Sequence, residues 1–328
     1  MVGNVELKRA IITGPTGAVG TALIDELVSQ GVEVVAVCRE GSSRINAVPR
    51  HDLVSVVECS LGHYDRLGEI LAERAPFDVF YHFAWDGTYG PSRLDWYRQE
   101  ANVRDSIAAV YAAHALGCKV FVGAGSQSEM GHVEGVLHPD APCNPDNGYG
   151  AAKLADCVVT RALCGSLGIR HEWCRIVSLY GPRDGAHTLI MTCINDLLSG
   201  AHLSCTNGDQ VWDYIYSKDA ARAFRLVAEC GHHGEVYMLG TGKTRPLRDF
   251  ITIVRDQIDP KAEIGFGERD YYPNQVMHLE ADISNLTNHT GFTPQYTFEQ
   301  GISETIEWAR NQQAVPTRKG KKNEQHRL

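Results

Sequence analysis

Residues 8–20 read KRAIITGPTGAVG, an apolar run that passes directly into a loop with glycines at positions 14, 17 and 20. The apolar residues of this run are continuous rather than alternating, which is typical of a strand buried on both faces of a sheet. A segment of helical period, residues 18–30, follows without a spacer. The stretch therefore predicts a strand, a tight glycine turn and a helix, the first unit of an α/β fold.

The same order of elements recurs through the first half of the chain. Further apolar runs of strand length lie at 32–38, 53–57, 78–83, 119–123 and 171–177, and helix candidates lie between them at 63–74, 92–116 and 149–166. A repeated strand-then-helix order requires right-handed crossovers and a parallel sheet. The predicted fold class is α/β, a doubly wound parallel sheet of the Rossmann type, whose ligands bind outside the carboxyl ends of the strands.

The alternation of strands and helices loosens beyond about residue 177, where turn clusters become frequent. At about 100–200 residues per domain, a chain of 328 residues is long enough for two units. We expect a dinucleotide-binding domain over 1–176, to which the chain returns around 208–242, and a smaller C-terminal substrate-binding lobe over 177–207 and 243–314. Residues 315–328 are predicted to be a disordered, solvated tail; five Lys and Arg against one Glu give this tail +4 and leave −13 for the rest.

The composition excludes several classes of protein. A content of 43% apolar residues excludes a disordered chain, and a net charge of −9 argues against a nucleic-acid-binding surface. We find no signal-peptide pattern and no apolar run of the ~18–20 residues that a membrane helix needs, so a cytoplasmic protein without membrane or nucleic-acid partners is expected. The ten cysteines are scattered without a CxxC pair, which indicates buried thiols. The histidines lack metal-ligand spacing, so no metal site is expected.

The glycine loop has the spacing that a dinucleotide-binding turn needs. Gly14 permits the tight turn, Gly17 lets the backbone approach a pyrophosphate, and Gly20 lets the helix and strand pack closely. The helix that follows presents unpaired N–H groups and a partial positive charge to the phosphates. Glycines serve any strand-turn-helix, but their position directly between strand and helix favours nucleotide binding.

The end of the second strand candidate indicates which coenzyme is bound. The chain has Cys38-Arg39 where a NAD site usually places an acidic residue that binds the ribose hydroxyls. Arg39, with Ser43 and Arg44 close behind, offers positive charge and donors suited to a 2′-phosphate. NADP(H) is therefore the favoured cofactor and NAD(H) the alternative, in which Arg39 is a solvated loop charge and Glu40 turns inward.

Three side chains suggest proton transfer coupled to hydride transfer. Tyr149 and Lys153 are four residues apart at the start of a helix candidate, and Ser126 follows a buried strand at its carboxyl end. A phenol with an ordinary pKa of ~10 needs a shift of ~3 units, or ~4 kcal/mol, to be half-ionised at neutral pH. One ammonium ~4 Å away supplies about that much. We expect Lys153 to make Tyr149 an acid/base while Ser126 holds the substrate oxygen; the alternative is an ordinary exposed helical pair.

Further motifs accompany these three residues. They are HFAW at 82–85, Asn102 with Val103, YGAAK at 149–153, Arg175 followed by YGP at 180–182, and VWDYIYSKDAARA at 211–223. Over roughly residues 8–310 the chain resembles the extended short-chain dehydrogenase/reductase family, in particular its NAD(P)-dependent nucleotide-sugar epimerases, dehydratases and ketoreductases. The resemblance implies a nucleotide-diphosphate sugar as substrate and a homodimer built from the helices at 92–116 and 149–166.

The residues and the resemblance together predict two sets of contacts. The coenzyme contacts are Gly14, Thr16, Gly17, Ala18, Val19, Gly20, Arg39, Ser43, Arg44, Ser60, Leu61, Phe83, Ala84, Trp85, Asn102, Tyr149, Lys153 and Ile176. The substrate contacts are Gly87, Ser126, Gln127, Arg183, His187, Trp212, Arg245, Arg269 and Tyr272. Trp212 stands where many relatives have an Arg that binds the diphosphate, so charge neutralisation is expected from Arg183, Arg245 or Arg269.

Departures from the family narrow the expected reaction. The sugar dehydratases follow their Ser or Thr with an Asp-Glu pair, whereas this chain has Gln127 and Ser128, with Glu129 one residue further. The fucose-synthase-like epimerase-reductases have a Cys at the position of Ser128 and a His at that of Arg183. Of the reactions of the family, we therefore expect redox chemistry at one carbinol carbon, which is expected to be C4 of the sugar.

Among enzymes of this kind we favour an NADPH-dependent 4-ketoreductase, because Arg39 suits an exchangeable NADPH. The main alternative is an NAD-dependent nucleotide-sugar 4-epimerase. Further alternatives are a sugar 4,6-dehydratase, a reductase of a non-sugar carbonyl, and a nucleotide-sensing regulator without catalysis. The intact set of Ser126, Tyr149 and Lys153 argues against the regulator.

Overall fold

A computed structural model describes residues 3–273 and 275–314. The segment 315–328, predicted to be a basic tail, lies outside the described residues. The strands are β1 (Arg9–Thr13), β2 (Glu33–Cys38), β3 (Val54–Glu58), β4 (Val79–His82), β5 (Val120–Ser126), β6 (Gly135–Leu137), β7 (Arg170–Ile176), β8 (Leu179–Tyr180), β9 (Leu203–Cys205), β10 (Val211–Trp212), β11 (Ile215–Tyr216), β12 (Val236–Leu239), β13 (Arg245–Pro246), β14 (Ile264–Phe266) and β15 (His278–Ala281). The α-helices are α1 (Ala18–Ser29), α2 (Leu67–Ile70), α3 (Trp96–Ala115), α4 (Gly148–Leu167), α5 (Leu189–Ser199), α6 (Ser217–Cys230), α7 (Leu247–Ile258), α8 (Ser284–Thr290) and α9 (Phe298–Ala314). Short 3₁₀ turns lie at Ile45–Ala47, Leu61–Arg66, Ala72–Arg74, Gly90–Leu94 and Gln127–Glu129.

The central sheet is parallel, with its strands in the order β12-β7-β5-β4-β1-β2-β3. The winding starts at β1, runs outward through β2 and β3, and resumes on the other side of β1 at β4. A crevice opens where the winding reverses, beyond the carboxyl ends of β1 and β4. All six strands predicted from apolar runs are present, within three residues of the predicted bounds. The doubly wound parallel sheet is confirmed.

Helices cover both faces of the sheet, which explains the continuous apolar runs in the strands. On one face, Leu23 of α1 and Phe224 of α6 pack in a core that includes Ile12 of β1. On the other face, Val110 of α3 packs in a core that includes Ile11 of β1. Neighbouring residues of a strand point to opposite faces, so most positions of a strand covered on both sides are apolar.

The predicted helix at 63–74 is wrong in its length. The segment is broken into the 3₁₀ turn Leu61–Arg66, the short helix α2 and a further 3₁₀ turn, and His63 has a φ of −124° that no helix tolerates. Gly68, a weak helix former, lies in its centre, and Pro76 follows closely. The helices predicted at 18–30, 92–116 and 149–166 are confirmed as α1, α3 and α4.

The C-terminal part of the chain has a core of its own. Helices α5, α7 and α9 contribute Ile194, Phe250 and Ile302 to it. Between α5 and α7 the chain passes back to the central sheet, where β12 pairs with β7. Leu286 and Phe292, which fall in the range predicted for the second lobe, pack instead in the core of the sheet, because α8 lies beside α6. The C-terminal segment is thus shared between the two cores.

Two further expectations concern the environment of the chain. In the described ranges no helix combines the length and apolarity needed to cross a bilayer. The ten cysteines are free thiols, of which Cys143 and Cys230 are half-buried and the other eight buried. The prediction of buried, unpaired thiols is confirmed.

Gly123 and Gly165 give opposite predictions for the same substitution. A Cβ at Gly123 of β5 would lie 2.2 Å from Cζ3 of the buried Trp173, so Gly123→Ala should lower the free energy of unfolding by about 1–3 kcal/mol. A Cβ at Gly165 of α4 would meet nothing closer than 3.5 Å. Gly165→Ala should raise the free energy of unfolding by about 0.5–1 kcal/mol, because alanine is the better helix former. Urea denaturation followed by circular dichroism measures both, and equal effects would contradict this packing.

Candidate active site

Two cavities open beyond the carboxyl ends of the strands. The first, here called the tyrosine cavity, has a volume of about 640 Å³ and is lined by Ala18, Val19, Gly20, Tyr149, Lys153, Ile176 and residues 183–187, among others. The second, the arginine cavity, has a volume of about 760 Å³ and is lined by Arg39, Ser60, Leu61, Ala84 and Asn102, among others. Both are lined by Gly14, Thr16, Gly17, Arg44, Phe83 and Trp85. The two cavities therefore form one crevice around the glycine loop.

A third cavity, the lobe cavity, lies in the C-terminal part and has a volume of about 650 Å³. Its lining includes Trp212, Arg269 and Tyr272. The indole N–H of Trp212 donates to Oγ of Ser178 at 2.6 Å, which fixes the ring in the cavity wall. Leu179 lines both this cavity and the tyrosine cavity, so the two adjoin.

The three glycines of the loop are required for three different reasons. Gly14 has a φ of +67°, and a Cβ there would lie 2.7 Å from the backbone nitrogen of Ala84. A Cβ at Gly20 would lie 2.5 Å from the carbonyl oxygen of Gly14. A Cβ at Gly17 would meet nothing within 4 Å, because this residue faces the crevice. No described side chain caps the start of α1, so its first amides are free to bind an anion.

The far end of the crevice carries positive charge. Arg39 lines the arginine cavity together with Arg44, whose Nη2 donates to the carbonyl of Thr16 at 2.6 Å. Glu40 is held beside the cavity by Ser60: its backbone N–H donates to the Ser60 hydroxyl at 3.3 Å, and its carboxylate accepts from that hydroxyl at 3.4 Å. Of these two residues, Arg39 lines the arginine cavity and Glu40 does not.

Tyr149 and Lys153 lie on the first two turns of α4 and both line the tyrosine cavity. The side chain of Asn147 caps this helix by accepting the N–H of Gly150 at 3.0 Å. A Cβ at Gly150 would lie 2.1 Å from the carbonyl oxygen of Ser128, so the start of α4 is pressed against the Ser126 loop. Lys153 is 3% exposed, and the alternative of an ordinary exposed pair is therefore wrong.

The ammonium of Lys153 is engaged by groups other than the phenol. Its Nζ donates to the carbonyl of Ala124 at 2.8 Å and lies 3.6 Å from the ring centroid of Trp85. Burial lowers the pKa of Lys153, while the carboxylates of Asp156 and Glu129 oppose that shift. The lysine is thus a buried cation held against the floor of the cavity.

The pKa of Tyr149 is shifted in the direction opposite to the one expected. Burial raises it above the ordinary value of 10, and the Ser126 hydroxyl and the positive charge of Arg93 oppose this only in part. The expectation that Lys153 lowers this pKa is corrected, because its ammonium is directed to Ala124 and Trp85. The phenol therefore carries its proton at neutral pH.

The loop after β5 is fixed by a buried carboxylate. Glu129, which is fully buried, accepts the N–H of Ser126 at 2.7 Å, the indole N–H of Trp173 at 2.9 Å and Nε of Arg175 at 2.8 Å. Ser126 is thereby held near the phenol of Tyr149, although it does not itself line the tyrosine cavity. Glu129 serves the structure of the loop, and it does not line the tyrosine cavity.

Five of the predicted contacts lie outside the lining of the three cavities: Ser43, Gly87, Ser126, Gln127 and Arg245. Ser42, not Ser43, reaches the arginine cavity. The carbonyl of Gly87 is bound by the side chain of Gln99 at 2.8 Å, and Thr88 lines the crevice instead. Gln127 begins the 3₁₀ turn that places Glu129 in the core. Arg245 pairs with Glu299 at 2.6 Å on the surface.

Sequence reasoning also missed residues that the structure brings to the site. Asp184 lines the tyrosine cavity, where burial raises the pKa of its carboxyl to about 6 against hydrogen bonds from Thr188 and Gly185. Trp308 of α9 lines the same cavity. Asp184 stands in a turn cluster next to Arg183 and could have been found there. Trp308 could not, because the apolar face of a helix gives no sign of which residue reaches a cavity.

Comparison with known proteins identifies the family. Residues 10–240 match the NAD dependent epimerase/dehydratase family. A UDP-glucose 4-epimerase of Mycolicibacterium smegmatis is 25% identical over 319 residues, which cover 92% of this chain and 99% of that protein. A dTDP-glucose 4,6-dehydratase of Salmonella typhimurium is 25% identical over 340 residues, with 92% of each chain covered.

A solved structure agrees in fold over nearly the whole chain. The UDP-N-acetylglucosamine 4-epimerase of Methanobrevibacter ruminantium superposes with a TM-score of 0.84 at 23% identity, covering 94% of this chain and 100% of that one. The family match over residues 10–240 confirms the resemblance to the extended short-chain dehydrogenases/reductases. The chain belongs to the NAD dependent epimerase/dehydratase family and is an enzyme of its nucleotide-sugar group.

Proposed function

We propose that this enzyme is an NADP(H)-dependent reductase of a keto group, at C4, of a nucleotide-diphosphate sugar. One observation carries the proposal: Tyr149 and the glycine loop share a cavity that adjoins a second cavity containing Arg269. The coenzyme would occupy the crevice, and the substrate would extend from the lobe cavity to Tyr149.

The crevice fits a dinucleotide at both ends. Gly17 leaves open space beside the unpaired amides of α1, which suits a pyrophosphate. Arg39 would bind a 2′-phosphate on the adenosine ribose, and Lys153 would hold the coenzyme at the other end of the crevice. Bound NADPH would supply the hydride that reduces the keto carbon.

The protonation state of Tyr149 favours the reductive direction. Reduction of a ketone requires a proton donor for the oxygen, and burial keeps the phenol protonated at neutral pH. Ser126 is held near that phenol by Glu129 and would bind the same oxygen as the proton moves. Tyr149 would then regain its proton from water through the open mouth of the crevice.

The lobe cavity provides a place for the nucleotide. Arg269 supplies a guanidinium to its lining, and Tyr272, which is 80% exposed, stands at its edge. Trp212 forms part of the wall. Arg183 and His187 line the tyrosine cavity and would contact the diphosphate or the sugar. Because Arg245 is paired with Glu299, Arg269 and Arg183 are the candidates for neutralising the diphosphate.

Two other reactions of the family compare differently with this site, and only the dehydratase fits less well than the reductase. A dehydratase needs a carboxylic acid and a carboxylate at the sugar, but Gln127 and Ser128 replace that pair and Glu129 is bound to Arg175 and Trp173. A 4-epimerase is the second candidate, since similarity to a UDP-glucose 4-epimerase extends over 92% of the chain. That reaction returns its hydride to the sugar and consumes no coenzyme.

We also propose that the enzyme is a homodimer through α3 and α4. These helices pack against each other and leave large apolar side chains uncovered. Tyr97 and Tyr111 of α3 are 89% and 53% exposed, and Val158 of α4 is 47% exposed. Apolar patches of this kind mark interaction surfaces.

Tyr149→Phe tests the proposed chemistry. The substitution removes the proton donor but keeps the ring, so kcat for NADPH-dependent reduction of a nucleotide-diphospho-4-keto sugar should fall about 10²–10⁴-fold. The dissociation constant of NADPH should change little. Loss of NADPH absorbance measures the first quantity, and fluorescence titration the second.

Three outcomes would overturn the proposal in different ways. Unchanged turnover by Tyr149→Phe would remove the phenol from the mechanism. Interconversion of two nucleotide sugars at C4 without coenzyme consumption would identify the 4-epimerase. A protein that is stabilised against heat by none of UDP, dTDP, CDP or GDP would not be a nucleotide-sugar enzyme.

Arg39→Ala tests the coenzyme. A charge-assisted contact with the 2′-phosphate should make NADPH binding about 10–100-fold weaker when it is lost, while NADH binding stays nearly constant. Arg50→Ala is the matched control, because it removes the same charge from the neighbouring loop outside the arginine cavity. Isothermal titration calorimetry measures all four affinities. Equal weakening of both coenzymes by Arg39→Ala would contradict a 2′-phosphate site.

A further inference from the structure

We propose that Arg93 is a positioning residue for Tyr149, which orients the phenol and stabilises its ionised form during proton transfer. The inference rests on the proposed role of Tyr149 as the proton donor. It adds a cation from outside the glycine loop and outside α4 to the groups that act on this phenol.

The contacts place the guanidinium of Arg93 against the phenol. Its Cζ lies 4.6 Å from the centroid of the Tyr149 ring. Its Nη2 donates to Oγ of Ser128 at 2.6 Å, and Ser128 is buried at 6% exposure. A cation over an aromatic face at this distance is attracted to the ring. Arg93 is therefore fixed from both sides.

The backbone that carries Arg93 is packed directly on the helix that carries Tyr149. Arg93 belongs to the 3₁₀ turn Gly90–Leu94. An ideal Cβ at Gly148, the first residue of α4, would lie 3.0 Å from the carbonyl oxygen of Arg93. Arg93 does not line either cavity of the crevice, so it acts through the tyrosine and not on a ligand.

The charges around Tyr149 come from three elements. Lys153 stands on the same helix, with its ammonium bound to the Ala124 carbonyl and the Trp85 ring. Glu129, from the loop after β5, raises the pKa of the phenol. Arg93 lowers that pKa, and in the described structure no carboxylate lies within 4.0 Å of its guanidinium. Its charge is thus available to a phenolate.

Ser128 anchors Arg93 without cancelling its charge. A serine accepts one hydrogen bond from Arg93 and leaves its positive charge uncompensated. A carboxylate at this position would neutralise the guanidinium.

Titration of the phenol in the full chain tests this inference without any substrate. 3,5-Difluorotyrosine at position 149 ionises at lower pH than tyrosine, so its ¹⁹F resonance reports the pKa while the protein stays folded. We expect Arg93→Gln to raise that pKa by about one unit. Arg93→Lys should recover part of the shift, and Ser128→Ala, which frees the guanidinium, should produce a smaller rise.

Arg50→Gln is the matched control, because it removes the same charge from an exposed position outside both cavities of the crevice. Its pKa at position 149 should stay within about 0.2 units of the parent. An unchanged pKa at position 149 in Arg93→Gln would overturn the inference. If Arg93→Gln does not fold, an unchanged pKa in both Arg93→Lys and Ser128→Ala would overturn it. A raised pKa in a protein that fails to reduce any nucleotide sugar would leave the inference standing and reject the proposed function.

Discussion

The winding of the chain reverses at β1, and this reversal determines where every candidate site residue lies. Because β2 and β4 flank β1 on opposite sides, the loops after β1 and β4 part at their carboxyl ends and leave a crevice. The glycine loop closes one wall of the crevice. Gly14 needs to be glycine because the backbone just after β4 approaches it too closely for a Cβ, and Gly20 because the backbone of the loop does so. The carboxyl ends of β5 and β7 face the same crevice. The Ser126 loop and α4 follow β5, so the order of the strands places them beside the crevice.

A buried carboxylate completes this arrangement. Glu129 accepts hydrogen bonds from the backbone of Ser126, the indole of Trp173 and the guanidinium of Arg175. Ser126 ends β5, and the other two residues belong to β7. A buried ion pair of this kind is costly to break, by about 3–5 kcal/mol when one partner is lost, because the other charge is left uncompensated. The position of the serine is therefore rigid. The same contacts occupy the carboxylate of Glu129, which supports the proposal of a single redox step with Tyr149 as the proton donor over dehydration.

The sequence predicted what depends on local pattern and on the order of elements. The strands, the separate reasons for the three glycines, and the meeting of Tyr149 with the glycine loop follow from apolar runs, spacing and parallel topology. The helix over 63–74 was wrong because Gly68 and a following proline outweigh its apolar period. Contacts between distant elements were not predictable. Arg93 contacts the Tyr149 ring from a 3₁₀ turn outside α4, and Arg245 forms an ion pair with Glu299. The ammonium of Lys153 lies over the ring of Trp85. For that reason the sign of the pKa shift of Tyr149 was also missed, since it depends on burial that spacing does not reveal.

The central claim is that this crevice moves one hydride between a nicotinamide and C4 of a nucleotide sugar, with a net change in oxidation state. Isotope transfer measures this directly. The enzyme is incubated with NADPH that carries deuterium at the transferable position and with a nucleotide-diphospho-4-keto sugar, and the product is analysed by NMR and mass spectrometry. The account predicts one deuterium at C4 of the sugar for each NADPH oxidised. A product without deuterium at C4, or a sugar inverted at C4 while NADPH remains unconsumed, would contradict it.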